Sequence, residues 1–189
     1  QREEGRGLSH AYLIAGPKGS GRHTLAKELA AAMVCTAPAG QRPCHRCPPC
    51  KKVLAGVHPD VNMISGGEKP IAVDQVRSLR SDAYVRPNEG QRKVYVLEGA
   101  DQMNASAQNA MLKLLEEGPP YAAFLLLTEN AAALLPTVRS RCETLTLSPV
   151  PLPEAEAFLY ARYPQRSREE LSAAARRCEG LLGRAVAEL

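Results

Sequence analysis

Short apolar runs alternate along this chain with longer stretches whose apolar residues recur at helical spacing. That is the rhythm of a parallel α/β sheet. The runs are Ala11-Tyr12-Leu13-Ile14-Ala15, Val61-Asn62-Met63-Ile64, Val94-Tyr95-Val96-Leu97, Phe124-Leu125-Leu126-Leu127 and Leu145-Thr146-Leu147. Between them the pattern predicts helices at about Thr24–Met33, Ala72–Tyr84 and Ser106–Leu115. In the third, Ala107, Ala110, Met111, Leu114 and Leu115 share a face, and Glu116 and Glu117 close it before Pro119. Acids at that end oppose the helix dipole, and the sequence offers no reason for them.

Ser148-Pro149-Val150-Pro151-Leu152-Pro153 then interrupts both periods. Alternating prolines continue neither sheet nor helix and predict an extended, stiff linker. Residues 154–189 read as two or three helices broken at Gly180 and Gly183. A piece this small buries little core alone, so it must pack on the first domain or on a partner. The expected division is residues 1–150 and 154–189.

With 44% hydrophobic and 23% charged residues, the 189-residue chain is globular, and disorder is excluded. No apolar run approaches the roughly 20 residues of a membrane span. The opening Gln1-Arg2-Glu3-Glu4-Gly5 shows no apolar stretch behind a basic patch, so no export signal is expected. Six cysteines in such a chain point to a reducing, cytoplasmic setting and to metal or burial rather than disulfides. A net charge of +4 permits a nucleic-acid partner without requiring one. No Trp, two Phe and six Tyr leave little for gripping single strands by base stacking.

After the first strand comes Gly16-Pro17-Lys18-Gly19-Ser20-Gly21-Arg22-His23-Thr24. Gly16, Gly19 and Gly21 between strand and helix have the placement of a phosphate-cradling loop, whose backbone N–H groups curl round an anion. Such a loop continues with Lys for the phosphates and Ser or Thr for magnesium. Here Arg22 and His23 stand there. Arginine differs from lysine in size and shape, and neutral imidazole is a poor ligand for a hard magnesium ion. Thr24 is one position late, which on a helix turns its hydroxyl about 100° away. Taken alone, a glycine-rich turn holding no ligand is the other reading. The companion acid at a strand end is Glu98, followed by Gly99, with Asp101 two residues after that glycine.

Cys35, Cys44, Cys47 and Cys50, the last three separated by two-residue gaps, suit a tetrahedral, structural Zn2+ site. His45 is a competing ligand by type, though four sulfurs already fill the shell. Pro38, Pro43, Pro48 and Pro49 with Gly40 are expected to exclude regular helix here. Cys142 and Cys178 lie outside the cluster and are expected to be buried.

Leu135-Pro136-Thr137-Val138-Arg139-Ser140-Arg141-Cys142 follows the fourth run. On their own, Arg139 and Arg141 read as a solvated loop. The altered phosphate loop, the cysteine insertion, Gln108-Asn109-Ala110-Met111-Leu112-Lys113-Leu114-Leu115-Glu116-Glu117 with Pro119 and Pro120, and Ser140-Arg141-Cys142 occur in one order. In that order the chain resembles the AAA+ clamp-loader subunits of bacterial DNA polymerase III, most closely their delta prime branch. The resemblance spans essentially all of the chain. It implies a RecA-like P-loop domain on a parallel five-stranded sheet, an inserted zinc module at about 35–50 and a small helical lid.

The resemblance also implies a complex with gamma/tau and delta subunits that opens the sliding clamp and loads it on primed DNA during replication. In that family the Ser-Arg-Cys motif supplies an arginine finger to ATP on a neighbouring subunit, which assigns the role to Arg141. The ATP-hydrolysing gamma/tau branch is also similar, but its loop ends Gly-Lys-Thr or Gly-Lys-Ser. Arg22-His23 agrees instead with a branch that does not hydrolyse ATP, so no activity is expected of this subunit alone and ATP binding in its own site is not supported. The family's γ-phosphate-sensing lid arginine falls where Gly183 stands, with Arg184 next. A collar domain found in complete family members has no counterpart in these residues. An active gamma/tau-type ATPase, or a plain DNA- or protein-binding zinc module, are the other readings. Ser140-Arg141-Cys142 speaks against the latter.

Overall fold

A computed structural model describes residues 8–189, so the opening Gln1–Gly5 segment lies outside the described residues. Its contacts divide it into two compact units. One joins the chain up to Ala15 with His23–Leu145; the other joins Gly16–Arg22 with Thr146–Leu189.

The first unit is built on strands β1 (Ala11–Ala15), β2 (Val61–Ile64), β3 (Lys93–Leu97), β4 (Ala122–Thr128) and β5 (Glu143–Thr146). They lie in the order β2-β3-β4-β1-β5. β1 pairs with β4, β4 with β3 and β3 with β2, all in parallel. β1, β3 and β4 are buried along their whole length, as unbroken apolar runs covered on both faces must be. Edge strand β2 is half exposed, with Met63 59% exposed. The register sets Tyr95 beside Phe124, and their rings stack at 5.6 Å. β5 spans Glu143–Thr146 rather than the apolar triplet at 145–147, because pairing, not hydrophobicity, defines this exposed edge.

Helix α1 (Arg22–Val34) follows the glycine loop and begins at Arg22, ahead of the expected Thr24. Helix α2 (Pro48–Leu54) corrects the expectation that prolines exclude regular helix near the cysteines. Both prolines sit in its first turn, where a missing N–H costs no hydrogen bond. Helix α3 (Val73–Ala83) buries Val76, Leu79 and Ala83. Helix α4 (Ala105–Glu117) buries Ala107, Met111, Leu114 and Leu115, and the Asn104 side chain caps it by accepting from the Ala107 N–H at 2.9 Å.

Two buried polar groups pin this unit. The Asp60 carboxylate, fully buried, accepts from the backbone N–H groups of Asn88, Glu89 and Gly90 and from the Asn88 side chain, at 2.6–3.1 Å. Burial alone would raise its pKa, but those donors outweigh it and hold the carboxyl below its ordinary value. Lys93, 3% exposed at the head of β3, pairs with Asp82 at 2.9 Å, and the Tyr95 hydroxyl donates to the same carboxylate at 2.6 Å.

In the second unit, helices α6 (Leu152–Arg162), α7 (Arg168–Arg177) and α8 (Leu182–Glu188) follow the single-turn helix α5 (Pro136–Arg139) of the first. They enclose a small core of Ala155, Leu159, Leu171, Ala174, Ala175, Cys178 and Ala185. The expected linker is shorter than its prolines indicated, since Pro153 again sits in a first helical turn. No helix among the described residues is long and apolar enough to cross a membrane.

Candidate functional site

Cys35 leaves the end of α1, Cys44 and Cys47 lie on the following loop, and Cys50 sits in the first turn of α2. The α2 helix that the prolines permit is therefore what turns the last sulfur inward. The four sulfur atoms lie within 4.8 Å of one another, and Cys35 and Cys47 are 3.9 Å apart. Ligands at about 2.3 Å round a tetrahedral zinc stand roughly 3.8 Å apart, so the spacing fits a metal ion. The Ala37 and Cys47 N–H groups donate to the sulfurs of Cys35 and Cys44, each at 3.4 Å.

The backbone N–H groups of Arg46 and Cys47 draw the Cys44 pKa down. Burial pushes Cys47 up, but N–H groups of Thr36 and Cys50 outweigh it and bring it to about 6. Burial, reinforced by the Cys47 and Cys35 sulfurs, pushes Cys50 up to about 12. Thiolates brought this close repel one another, and a cation placed among them would relieve that repulsion. His45 turns out of this shell: its Nε2 bonds the Glu28 carboxylate on α1 at 2.7 Å. All six cysteines are free thiols; Cys178 is buried as expected, whereas Cys142 is only half-buried.

Two glycines of the loop take conformations that other residues rarely adopt. Gly19 and Gly21 have φ near +90°, where a side chain is strained. The loop's surroundings in the second unit differ from a cradle. The Gly183 N–H donates to the Gly19 carbonyl at 2.9 Å. A Cβ on Gly183 would lie 2.9 Å from the Cα and carbonyl oxygen of Gly19, and one on Gly19 would lie 3.0 Å from the Arg184 side chain. The first turn of α8 thus rests on the loop backbone to backbone. Arg22 is 8% exposed, so the cation in the lysine position is buried rather than held out to solvent.

In the first unit, His23 Nε2 lies 2.9 Å from Glu98 Oε1, with both side chains about half exposed. The two positions that would share a magnesium ion bind each other instead, while Thr24 is exposed. Gly99 adopts a left-handed conformation, φ +68°, and carries no carboxylate. Asp101 accepts from the Asn130 N–H at 3.2 Å and so steadies the loop after β4.

The arginine turn is held by a residue that the sequence motif includes but to which sequence reasoning gave no role. Buried Gln108 of α4 donates to the Met103 carbonyl at 2.9 Å and accepts from the Leu135 N–H at 2.7 Å, tying α4 to the start of α5. A buried amide on an apolar helix face was the available signal. Arg139 is exposed and makes no side-chain hydrogen bond among the described residues. Arg141 is half-buried; its Nη1 donates to the Thr137 carbonyl at 2.6 Å and its Nη2 pairs with Glu116. The carboxylate that opposed the α4 dipole has found its cation.

The family described as "DNA polymerase III, delta subunit" matches residues 2–151. The DNA polymerase III subunit delta prime of Pseudomonas aeruginosa is 42% identical over 153 residues, covering 80% of this chain and 46% of that protein. The Escherichia coli delta prime subunit is 35% identical over 187 residues, 98% of this chain and 55% of the relative. The Bacillus subtilis tau subunit is 35% identical over 136 residues, 72% of this chain and 24% of the relative. The chain thus spans about half the length of the curated delta prime proteins it matches. Among solved structures, a gamma subunit-related protein of Thermotoga maritima aligns at TM-score 0.58 and 24% identity, covering 91% of this chain and 54% of that one. The Thermotoga maritima RuvB branch migration motor aligns at TM-score 0.62 and 16% identity, covering 95% and 52%.

Proposed function

Because the chain belongs to the delta prime family of DNA polymerase III clamp-loader subunits, we propose that it is a non-hydrolysing member that lends an arginine finger to a neighbouring ATPase subunit. Its partners are gamma/tau and delta subunits and, through the complex, the sliding clamp and primed DNA, in the cytoplasm. In this reading residues 1–150 form the AAA+ domain with its module at about 35–50, residues 154–189 form the lid, and Cys35, Cys44, Cys47 and Cys50 hold structural zinc. The zinc braces the loop between α1 and α2 and supplies no chemistry, since four sulfurs leave no open position.

The observation that carries this reading is the His23–Glu98 contact at 2.9 Å. Magnesium-dependent hydrolysis needs a hydroxyl and a carboxylate free to share the ion. An imidazole bonded to that carboxylate supports a site that does not use one. The alternative, an active gamma/tau-type ATPase, draws on the 35% identity with a tau subunit but lacks that pair of free groups.

Arg141 has the chemistry for the finger. Charge grows on the transferring phosphoryl group, and a guanidinium can neutralise it through paired N–H donors. Such fingers are worth about 10³–10⁵ in rate in GTPases, and several sites in one loader dilute the loss. In a loader assembled with the full-length subunit, Arg141→Ala lowers DNA-stimulated ATPase, and Arg139→Ala lowers it less. Equal ATPase and clamp loading for Arg141→Ala and wild type, with the complex intact, refutes the donated finger.

A further inference from the structure

We infer that Glu116 is a parking carboxylate for Arg141, occupying the finger until a neighbour's phosphate displaces it; this rests on the finger reading above. Glu116 lies in the last turn of α4, where the helix carbonyls repel a carboxylate. It pairs there with Arg141 Nη2, while Arg141 Nη1 donates to the Thr137 carbonyl at 2.6 Å and lies 3.5 Å from Ser140 Oγ. Both terminal nitrogens are therefore spoken for. They are the two that would grip a phosphoryl group side by side, so the guanidinium must shed its own-chain partners before it can act. Glu116 is the one anion among those partners, and the one a phosphate replaces like for like.

Exposure sets the strength of the lock. The Arg141 and Glu116 side chains are 32% and 42% exposed, so solvent screens the pair and a competing anion can reach it. Pairs of this kind shift an equilibrium by about 1.5- to fivefold. That is enough to raise the ATP threshold for productive engagement without blocking it. Glu117 supplies the control. It sits beside Glu116 at the same helix end, is exposed, and makes no side-chain bond among the described residues. Neutralising either acid relieves the same helix-end repulsion, but only one change frees the arginine.

The test has two readouts. In the full-length subunit alone, phenylglyoxal modification of Arg141, followed by peptide mass mapping, should run about 1.5- to fivefold faster in Glu116→Gln. Glu117→Gln should match wild type. In the assembled loader, Glu116→Gln should lower the ATP concentration for half-maximal rate by a similar factor, with little change in the maximal rate. Added to Arg141→Ala, it should change nothing further. Unchanged modification refutes the parking contact whatever Arg141 does. Faster modification with an unchanged or raised ATP requirement refutes the gating role, provided Arg141→Ala lowers the rate. A silent Arg141→Ala removes the finger reading itself, and the gating role with it.

Discussion

Gly183→Ala is the sharpest probe of how α8 meets the glycine loop. Its Cβ would lie 2.9 Å from both the Cα and the carbonyl oxygen of Gly19, and 3.2 Å from its carbonyl carbon. The obstacle is backbone, so no side chain can swing aside. Overpacking of this kind costs about 1–3 kcal/mol. Alanine in place of glycine in a helix returns at most about 1 kcal/mol, and less in a first turn. A net loss of about 1–2 kcal/mol raises the local opening constant about five- to thirtyfold. The amide at position 183 reports it directly, because that N–H donates to Gly19 at 2.9 Å. Native-state hydrogen exchange should show the loss at 183 and 184, with the strands of the first unit unchanged. Gly40→Ala is the matched control, since no atom lies within 4 Å of its Cβ. It should be neutral, or stabilising by up to about 1 kcal/mol. Equal or greater protection at position 183 in Gly183→Ala would show that the loop yields freely and that α8 is not seated on it.

Elemental analysis of the purified protein should find one zinc per chain, and Cys47→Ser should lower that content sharply. Structural zinc is worth roughly 10–16 kcal/mol in small modules, so chelation should raise protease sensitivity between α1 and α2 while leaving the sheet's circular dichroism in place. Well under one zinc per chain in wild type contradicts the site. Asp60 predicts acid behaviour of definite sign. Its folded pKa is held below the ordinary carboxylate value, so its contribution is full above the unfolded pKa of about 3.9 and disappears as pH falls through the folded value. Asp60→Asn removes the acceptor facing the Glu89 and Gly90 N–H groups and should cost about 3 kcal/mol or more at neutral pH. It should also flatten the denaturant midpoint against pH below about 4. A variant that keeps the wild-type acid slope contradicts this assignment.

Much of the sheet was readable because a parallel strand buried on both faces must be apolar throughout, and β1, β3 and β4 are. Edge strands escape that rule, which is why β5 lies earlier than its apolar residues indicated. The cysteine spacing announced a possible metal site because two-residue gaps bring thiols together locally, and the sulfurs do converge. Prolines misled at α2 and α6, since residue type alone does not separate a helix breaker from a helix's first turn. Pairings distant in sequence were invisible in principle. Nothing in the local pattern joins His23 to Glu98, Gly183 to Gly19 or Glu116 to Arg141. Glu116 did leave a trace, as an acid at the wrong end of a helix.

That trace bears on whether the altered nucleotide motifs are decay or construction. A carboxylate that merely lost its metal would stand at the end of β3 with solvent as its partner; Glu98 has His23 at 2.9 Å. If position 183 had simply lost the arginine that the resemblance implies, space would remain above the loop. Gly183 instead brings α8 close enough that not even a methyl group fits between it and Gly19. Asp101, two residues after Gly99, secures Asn130. Each departure from an ATP-using site therefore coincides with a new contact of ordinary geometry. Arg141 follows the opposite course. Its contacts, to a solvent-screened acid, one carbonyl and the Ser140 hydroxyl, leave it half-buried. A residue kept for stability alone gains little from so screened a pair. These contacts are what the proposed reading requires: an own site without a free metal pair, and an arginine held loosely enough to act elsewhere.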